Sequence, residues 1–225
     1  MKSQKKTIAI IGLALSILVL IASGNNSVLG MLIRLSSDNN FMKRFIEDIK
    51  PEDGNNSDVN TPDNPMYTDD TLSSTPYVND TYGLSITPPK NWKEEPSTDF
   101  GSLVIFMSDK TVGTGDKAFV PNLIVGTEPA QGYNLGDYVE SSIEGLRTYL
   151  TDYELLDNKQ VTINGVQANI LSGKYIQSGV QIRNMQLIYL KNDNAFIVTG
   201  TVTESEWTTE YENTFMNSFN TLKVN

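Results

Sequence analysis

The 225-residue chain contains no cysteine and no histidine. Without cysteine there can be no disulfide framework, no thiolate metal site and no cysteine nucleophile. Without histidine the chain lacks the usual general base near neutral pH and the commonest transition-metal ligand. These absences exclude most familiar hydrolase arrangements, so we expect no enzymatic activity and no cofactor. If the chain were an enzyme, its catalytic residues would have to be Asp, Glu, Tyr, Lys or Ser.

Basic residues are scarce as well, with 17 Lys and Arg against 27 Asp and Glu and a net charge of −10. Residues 1–50 carry a net charge of +4, whereas residues 51–81 and 82–225 each carry −7. A phosphate backbone is bound by a basic stripe. The basic residues after position 82 are instead scattered singly among more numerous carboxylates, so we expect no nucleic-acid partner.

Charge is absent from residues 7–23, which follow three lysines in residues 1–6. The expected membrane-contacting positions in this apolar run are Ile8, Ile11, Leu13, Leu15, Leu18 and Leu20. A helix of this length extends about 26 Å, near the lower limit for crossing a bilayer core of roughly 30 Å. We predict a single-pass anchor in membrane lipid over residues 7–24, with residues 1–6 cytoplasmic and the remainder extracytoplasmic. The alternative is a signal peptide cleaved near Gly24, which would release a secreted protein.

Residues 25–50 form a predicted membrane-proximal segment. Its apolar residues recur at helical spacing after Asp38, at Phe41, Met42, Phe45, Ile46 and Ile49. This pattern predicts an amphipathic helix. Such a helix could lie on the membrane, dock onto the distal domain or pair with a partner helix.

Residues 51–81 contain seven acidic residues and no Lys or Arg. A segment so rich in Asn, Asp, Ser, Thr and Pro buries too little apolar surface to offset its ordering entropy, so we predict a disordered acidic linker. Three Asn-x-Ser/Thr sequons begin at Asn25, Asn55 and Asn79. These asparagines are candidate glycosylation sites if the organism glycosylates asparagine.

A single folded domain is predicted over residues 82–225. Short apolar alternations near residues 84–86, 103–107 and 123–125 predict three strands, and helical periodicity between residues 134 and 150 predicts a helix. The turn signals Asn164-Gly165, Ser178-Gly179 and Asn192-Asp193-Asn194 then separate strands that must be antiparallel because their links are short. We therefore predict an α+β fold, with an antiparallel sheet of about six strands flanked by helices in an α/β/α sandwich.

The last helix has its own predicted signals. Thr203 and Glu206 match a capping box at its start. The aromatic residues Trp207, Tyr211, Phe215 and Phe219 follow at intervals of four. Such a stripe predicts packing of the helix against the sheet rather than a ligand pocket.

Two motifs mark the ends of this domain, Tyr82-Gly83-x-x-Ile86-x-x-Pro89-x-x-Trp92 and Glu206-Trp207-x-x-x-Tyr211-x-x-x-Phe215. Together with the order of elements, they resemble the PsbP-like family over about residues 77 to 225. The resemblance implies an antiparallel sheet between helices and a role in binding or assembly rather than catalysis. It carries over no functional residue, and the histidine-containing metal sites of some members are impossible here.

One loop, from Asp109 to Lys117, looks superficially like an anion or calcium loop. It lacks the Gly-Lys-Ser/Thr ending of a phosphate loop and the alternating carboxylates of an EF-hand, which favours a hairpin tip. Asp109 and Asp116 remain its candidate ligands. The leading hypothesis is thus a membrane-anchored extracytoplasmic binding or assembly module with an envelope protein partner. The alternative is an accessory domain that binds a small ligand or divalent cation at the cell surface.

Overall fold

A computed structural model describes residues 71–96, 102–130 and 132–225. The strands in this part of the chain are β1 (Tyr77–Asn79), β2 (Leu84–Ile86), β3 (Lys93–Pro96), β4 (Ser102–Met107), β5 (Asn122–Pro129), β6 (Thr151–Ile163), β7 (Val166–Gln177), β8 (Val180–Lys191), β9 (Asn194–Thr203) and β10 (Lys223–Val224). The helices are α1 (Leu135–Tyr149) and α2 (Thr209–Asn220). Neither of these two helices is long and apolar enough to cross a membrane. The predicted anchor at residues 7–24, the amphipathic helix and the linker as far as residue 70 lie outside the described residues.

The strands form two sheets. The larger has seven strands in the order β3-β4-β5-β9-β8-β7-β6, and the smaller has three in the order β1-β2-β10. Every neighbouring pair in both sheets is antiparallel. The α+β class is therefore confirmed, whereas the predicted number of about six strands is too low. The missed strands are short, at β1, β3 and β10, and strands of two to four residues give too few alternations for a pattern to be read.

The three predicted turns join the long strands β6 to β9. At the first of them, Asn164 and Gly165 both have positive φ angles, of 48° and 80°. Ser178-Gly179 and Asn192-Asp193 likewise have positive φ at both positions. This is the backbone that two-residue hairpins require, because its twist matches that of the flanking strands. These hairpins fix the register of the sheet from β6 to β9.

The large sheet is covered on both faces. Helix α1 buries Tyr138, Val139, Ile143 and Leu146 against one face, which we call the α1 face. Helix α2 buries Phe215 and Phe219 against the other, the α2 face, where the strands of the small sheet also contribute core residues. Side chains along a strand alternate between faces. The α/β/α arrangement thus agrees with the predicted sandwich, with a small sheet added beside α2.

The folded domain begins before Tyr82. Residues 71 to 81 fall in the predicted linker, but Thr71 already bonds to the domain, since its carbonyl accepts from the Lys90 N–H at 2.8 Å and its hydroxyl accepts from Asn217 Nδ2 at 2.6 Å. Strand β1 then pairs with β2. The boundary was misplaced because strand pairing, rather than apolar content, holds these polar residues.

The predicted capping box is wrong. Thr203 makes no side-chain cap bond, and residues Glu204–Glu206 form a single turn of 3-10 helix. Helix α2 begins later, where the Thr208 hydroxyl accepts from the Tyr211 N–H at 3.4 Å. Trp207 consequently lies in the connection before α2 instead of on the helix.

Candidate functional site

Aromatic side chains from two distant parts of the chain meet at the N-terminal end of α2. The ring of Phe215 is buried, with its centroid 6.1 Å from that of Trp92, 5.9 Å from Trp207 and 6.3 Å from Tyr211. The two Trp rings and the Tyr ring are half-buried, so part of each faces solvent. Together with Arg183 they form what we call the aromatic surface.

Local structure holds each of these aromatic residues in place. Trp92 follows Asn91, whose φ of 67° turns the chain into β3, and the Trp92 N–H donates to the Pro89 carbonyl at 3.3 Å. The Trp207 N–H donates to the Glu204 carbonyl at 3.3 Å, which closes the turn before α2. Tyr211 lies in the first turn of α2, which Thr208 caps. The aromatic surface therefore rests on fixed backbone on both of its sides.

Arg183 adds a cation to the aromatic surface. Its guanidinium carbon lies 4.7 Å from the centroid of the Trp207 ring, a distance typical of a cation–π contact. Its Nη1 also lies 3.4 Å from Glu204 Oε1. This half-exposed ion pair contributes little to stability, but it fixes the guanidinium over the ring.

Charged residues surround the aromatic surface. Glu206 and Glu210 are exposed beside Tyr211, whereas the exposed residues next to Trp92 in the chain are of both signs, Lys90, Lys93 and Glu94. Burial raises the pKa of Tyr211, and the charges of Glu210 and Glu206 raise it further. The rim is thus acidic beside Tyr211, where Arg183 is already paired with Glu204, and it carries both signs of charge beside Trp92. An arrangement of Trp, Tyr and Arg with a charged rim is the composition found at the centres of protein-binding sites.

The predicted ligand loop follows β4, whose last residue, Met107, pairs with Lys93 next to Trp92. Asp109 is exposed, and Asp116 lies in the 3-10 turn Gly115–Lys117, with its side chain outside the described part. Val112 and Phe119 exchange backbone hydrogen bonds at 2.8 Å, so the loop is a hairpin tip. Within the described ranges, no three carboxylates are grouped to hold a metal ion. Ligand binding by this loop stays a prediction.

Of the three candidate glycosylation sites, one lies within the described residues. Asn25 and Asn55 lie outside the described residues, as do the six anchor positions. Asn79 ends β1, and its Nδ2, the atom that a glycan would modify, donates to the Tyr77 hydroxyl at 3.2 Å. Its side-chain oxygen accepts from the Tyr82 N–H at 3.3 Å. Modification of Asn79 stays a prediction; a glycan would replace one of the two Nδ2 hydrogens, and the other could still donate to Tyr77.

The aromatic surface could not be recognised as a unit from the sequence. The two end motifs include Trp92, Trp207 and Tyr211, but their pattern predicted that these residues pack in the core. Arg183 was missed, because its position opposite Val202 in the β8–β9 register brings it near Trp207 and no local pattern reveals that register. The sequence signal that could have identified Arg183 is a charged residue among the apolar positions of a long predicted strand.

An antiparallel sheet with a helix on each face defines an α+β sandwich domain of the kind that the sequence motifs indicate. The family model described as DcrB matches residues 86–217, which is more than half of the chain. The chain belongs to the DcrB family. This match and the fold likeness to PsbP confirm the resemblance drawn from the sequence. Comparison with curated proteins gives no match.

Several solved structures are similar in fold. The cyanobacterial PsbP of Synechocystis is 12% identical, with a TM-score of 0.50, and the match covers 73% of this chain and 98% of that one. LpqN of Mycobacterium tuberculosis, which is involved in cell envelope biogenesis, is 12% identical over 68% of this chain and 91% of its own, with a TM-score of 0.49. A Pseudomonas aeruginosa protein of unknown function is 18% identical over 67% and 96%, with a TM-score of 0.46. At these identities the likeness concerns the fold alone.

Proposed function

We propose that this chain is an extracytoplasmic, membrane-anchored binding module that docks an envelope protein through the aromatic surface. The observation that carries the proposal is the convergence of Trp92, Trp207 and Tyr211 on Phe215 beside Arg183. Half-exposed Trp and Tyr side chains on a rigid scaffold are the residues that most often dominate binding energy. The uncharged apolar run at residues 7–23 supports the anchor.

The charge of the residues around the aromatic surface indicates the chemistry of the partner. Glu206 and Glu210 are exposed beside Tyr211, and residues 82–225 as a whole carry a charge of −7. Opposite charges across an interface steer association and suppress incorrect partners. We therefore expect a protein surface that presents Arg or Lys side chains around an apolar or aromatic centre.

A binding role also agrees with the composition. The chain has no His and no Cys, so general-base and nucleophilic chemistry that depends on these side chains is excluded. The aromatic surface itself offers one ion pair, Arg183 with Glu204, and the Arg183 guanidinium also lies over the Trp207 ring. This arrangement holds side chains in place and presents them for contact.

Site-specific photocrosslinking in the source organism tests the proposal. A photoreactive phenylalanine analogue is placed at Tyr211 in the full chain, and at Tyr82 as the matched control, because Tyr82 is an exposed aromatic residue of the small-sheet region. We expect one envelope protein to crosslink from Tyr211 and not from Tyr82. The same crosslink should weaken when Glu206 and Glu210 are both changed to Lys. Equal crosslinking from the two positions, or none from Tyr211, would overturn the proposal.

A further inference from the structure

A strip of buried polar side chains crosses the α1 face of the large sheet. It consists of Asn122 on β5, Thr199 and Thr201 on β9, and Asn184 and Gln186 on β8, each no more than 1% exposed. The register pairs Thr201 with both Asn122 and Asn184, and it pairs Thr199 with Gln186. Directly paired residues share a face of the sheet. These five residues, which we call the polar strip, are therefore contiguous.

Two amide oxygens of the polar strip take no part in the hydrogen bonds within it. The Thr201 hydroxyl donates to Asn122 Oδ1 at 2.8 Å, and Gln186 Nε2 donates to the Thr199 hydroxyl at 3.1 Å. Asn184 Oδ1 and Gln186 Oε1 are buried and have no hydrogen-bond partner among the described residues. A buried polar atom without a partner costs roughly 1–3 kcal/mol, so such atoms are rarely retained without a reason.

A third buried polar atom lies beside these two. Tyr153 of β6 reaches over Gly173 of β7, where its Oη is 2.5 Å from the position that a Cβ on Gly173 would occupy. Gly173 pairs directly with Asn184, so the Tyr153 hydroxyl and the Asn184 amide are neighbours on the α1 face. The hydroxyl also has no partner among the described residues. Gly173 provides the space that brings this donor close to the polar strip.

Along β5, β8 and β9 the surroundings of the polar strip are uncharged, although the charge of Arg147, an exposed residue of α1, acts on the Tyr153 hydroxyl. On this face, the residues interleaved with it along β5, β8 and β9 are apolar, namely Ile124, Ile182, Ile188 and Ile197, or are Thr203. A charged ligand would lose its hydration beside Asn184 and Gln186, and no charged side chain adjoins these two amides on this face of the strands to form an ion pair with it. Two free acceptors and one free donor instead match a neutral group that both donates and accepts hydrogen bonds.

We propose that the polar strip and the Tyr153 hydroxyl form a binding site for a small neutral ligand that carries a hydroxyl or carboxamide group. Apolar walls with a few converging polar atoms are the usual composition of a small-molecule site. The site lies on the α1 face, whereas the aromatic surface lies at α2 on the opposite face. It is therefore a second site and does not depend on the proposed docking function.

Nuclear magnetic resonance on the isotope-labelled full chain in detergent tests this site. Acetamide and ethylene glycol are the neutral probes. Acetate, which is similar in shape to acetamide but negatively charged, is the control. We expect acetamide or ethylene glycol to shift the side-chain amide signals of Asn184 and Gln186 in a saturable way, and acetate to leave them unchanged. The internal control is Asn169, a buried amide on the same face whose Nδ2 donates to Asn158 Oδ1 at 2.7 Å. Its signals should not move.

A volume-conserving variant, Gln186→Met, provides the second measurement. The variant removes the unpartnered Gln186 Oε1 but also the hydrogen bond from Gln186 Nε2 to Thr199, so without probe it should unfold at a temperature close to that of the wild type. With acetamide, the wild type should gain thermal stability and the variant should not. Three outcomes would overturn the proposal: no shift at Asn184 or Gln186 with either neutral probe, which indicates buried water only; equal shifts with acetate; or equal stabilisation of the variant.

Discussion

The ring of Phe215 occupies the place where Gly200 would carry a side chain. A Cβ added to Gly200 would lie 2.3 Å from Phe215 Cδ1, closer than any ordinary contact. Gly200 lies on β9, opposite Met185 and Leu123 on the α2 face. The missing side chain lets α2 approach the sheet closely, and it places Phe215 where Trp92, Trp207 and Tyr211 can pack around it.

The first prediction concerns this contact. We expect Gly200→Ala to destabilise the domain by about 1–3 kcal/mol, because the added methyl group forces Phe215 and α2 outwards. The measurement is urea unfolding followed by tryptophan fluorescence, which also reports any movement of Trp92 and Trp207. Gly136→Ala in α1 is the matched control, since its Cβ would meet Asn134 Oδ1 at an ordinary 3.4 Å. That variant should be neutral or stabilised by about 0.5–1 kcal/mol. Equal effects at the two glycines would show that Phe215 is not held against Gly200.

The second prediction concerns the start of α2. Thr208→Ala removes the hydroxyl that accepts from the Tyr211 N–H, so it should cost about 1 kcal/mol in the free energy of unfolding. Thr208→Ser keeps the oxygen and should cost little. Chemical denaturation of the three proteins checks the order. If Thr208→Ala is as stable as the wild type, α2 does not depend on this cap.

The third prediction concerns Arg183 and Glu204. Their side chains are 26% and 28% exposed, so solvent weakens the ion pair. A double-mutant cycle with Arg183→Met and Glu204→Gln should give a coupling energy of about 0.2–1 kcal/mol that falls as salt is added. A coupling energy that does not change with salt would mean that packing on Trp207, and not charge, holds Arg183.

The fourth prediction concerns alkaline pH. Burial raises the pKa of Tyr153 above its ordinary value of 10.0, and Arg147 offsets this only in part. Since the folded pKa is the higher one, the stabilising contribution is complete below about pH 10 and is lost as the pH rises towards the folded pKa. The unfolded chain releases its proton first. Unfolding measured across this range should therefore show a smaller loss of stability for Tyr153→Phe than for the wild type. Identical profiles would contradict the burial of this hydroxyl.

Local patterns were sufficient for the middle of the domain. Asn164-Gly165 and the two later turns have the backbone that their residues require, so the strands from β6 to β9 could be predicted as antiparallel neighbours. The Asn164-Gly165 turn predicted only where strand β6 ends, and not that the strand runs from Thr151 to Ile163. It is an edge strand, and most of its residues face solvent, which removes the apolar alternation.

The candidate sites could not be predicted because they depend on register. Arg183 meets Trp207, and Asn184 meets Thr201 and Gly173, through strand pairs that bring together residues far apart in sequence. Thr203 and Glu206 matched a capping box, yet the chain makes a 3-10 turn there and delays α2 by several residues. This delay takes Trp207 off the helix and leaves it over Arg183, at the rim of the aromatic surface.

The most direct test of the aromatic surface is the affinity of the full chain for the protein that crosslinks from Tyr211. Tyr211→Ala should weaken binding by roughly 30-fold, because loss of a central aromatic residue typically costs about 2 kcal/mol or more. Leu156→Ala, an exposed apolar residue on β6, is the control and should bind like the wild type. Equal affinity of all three proteins, each shown to be folded by its thermal unfolding, would contradict a binding site at α2.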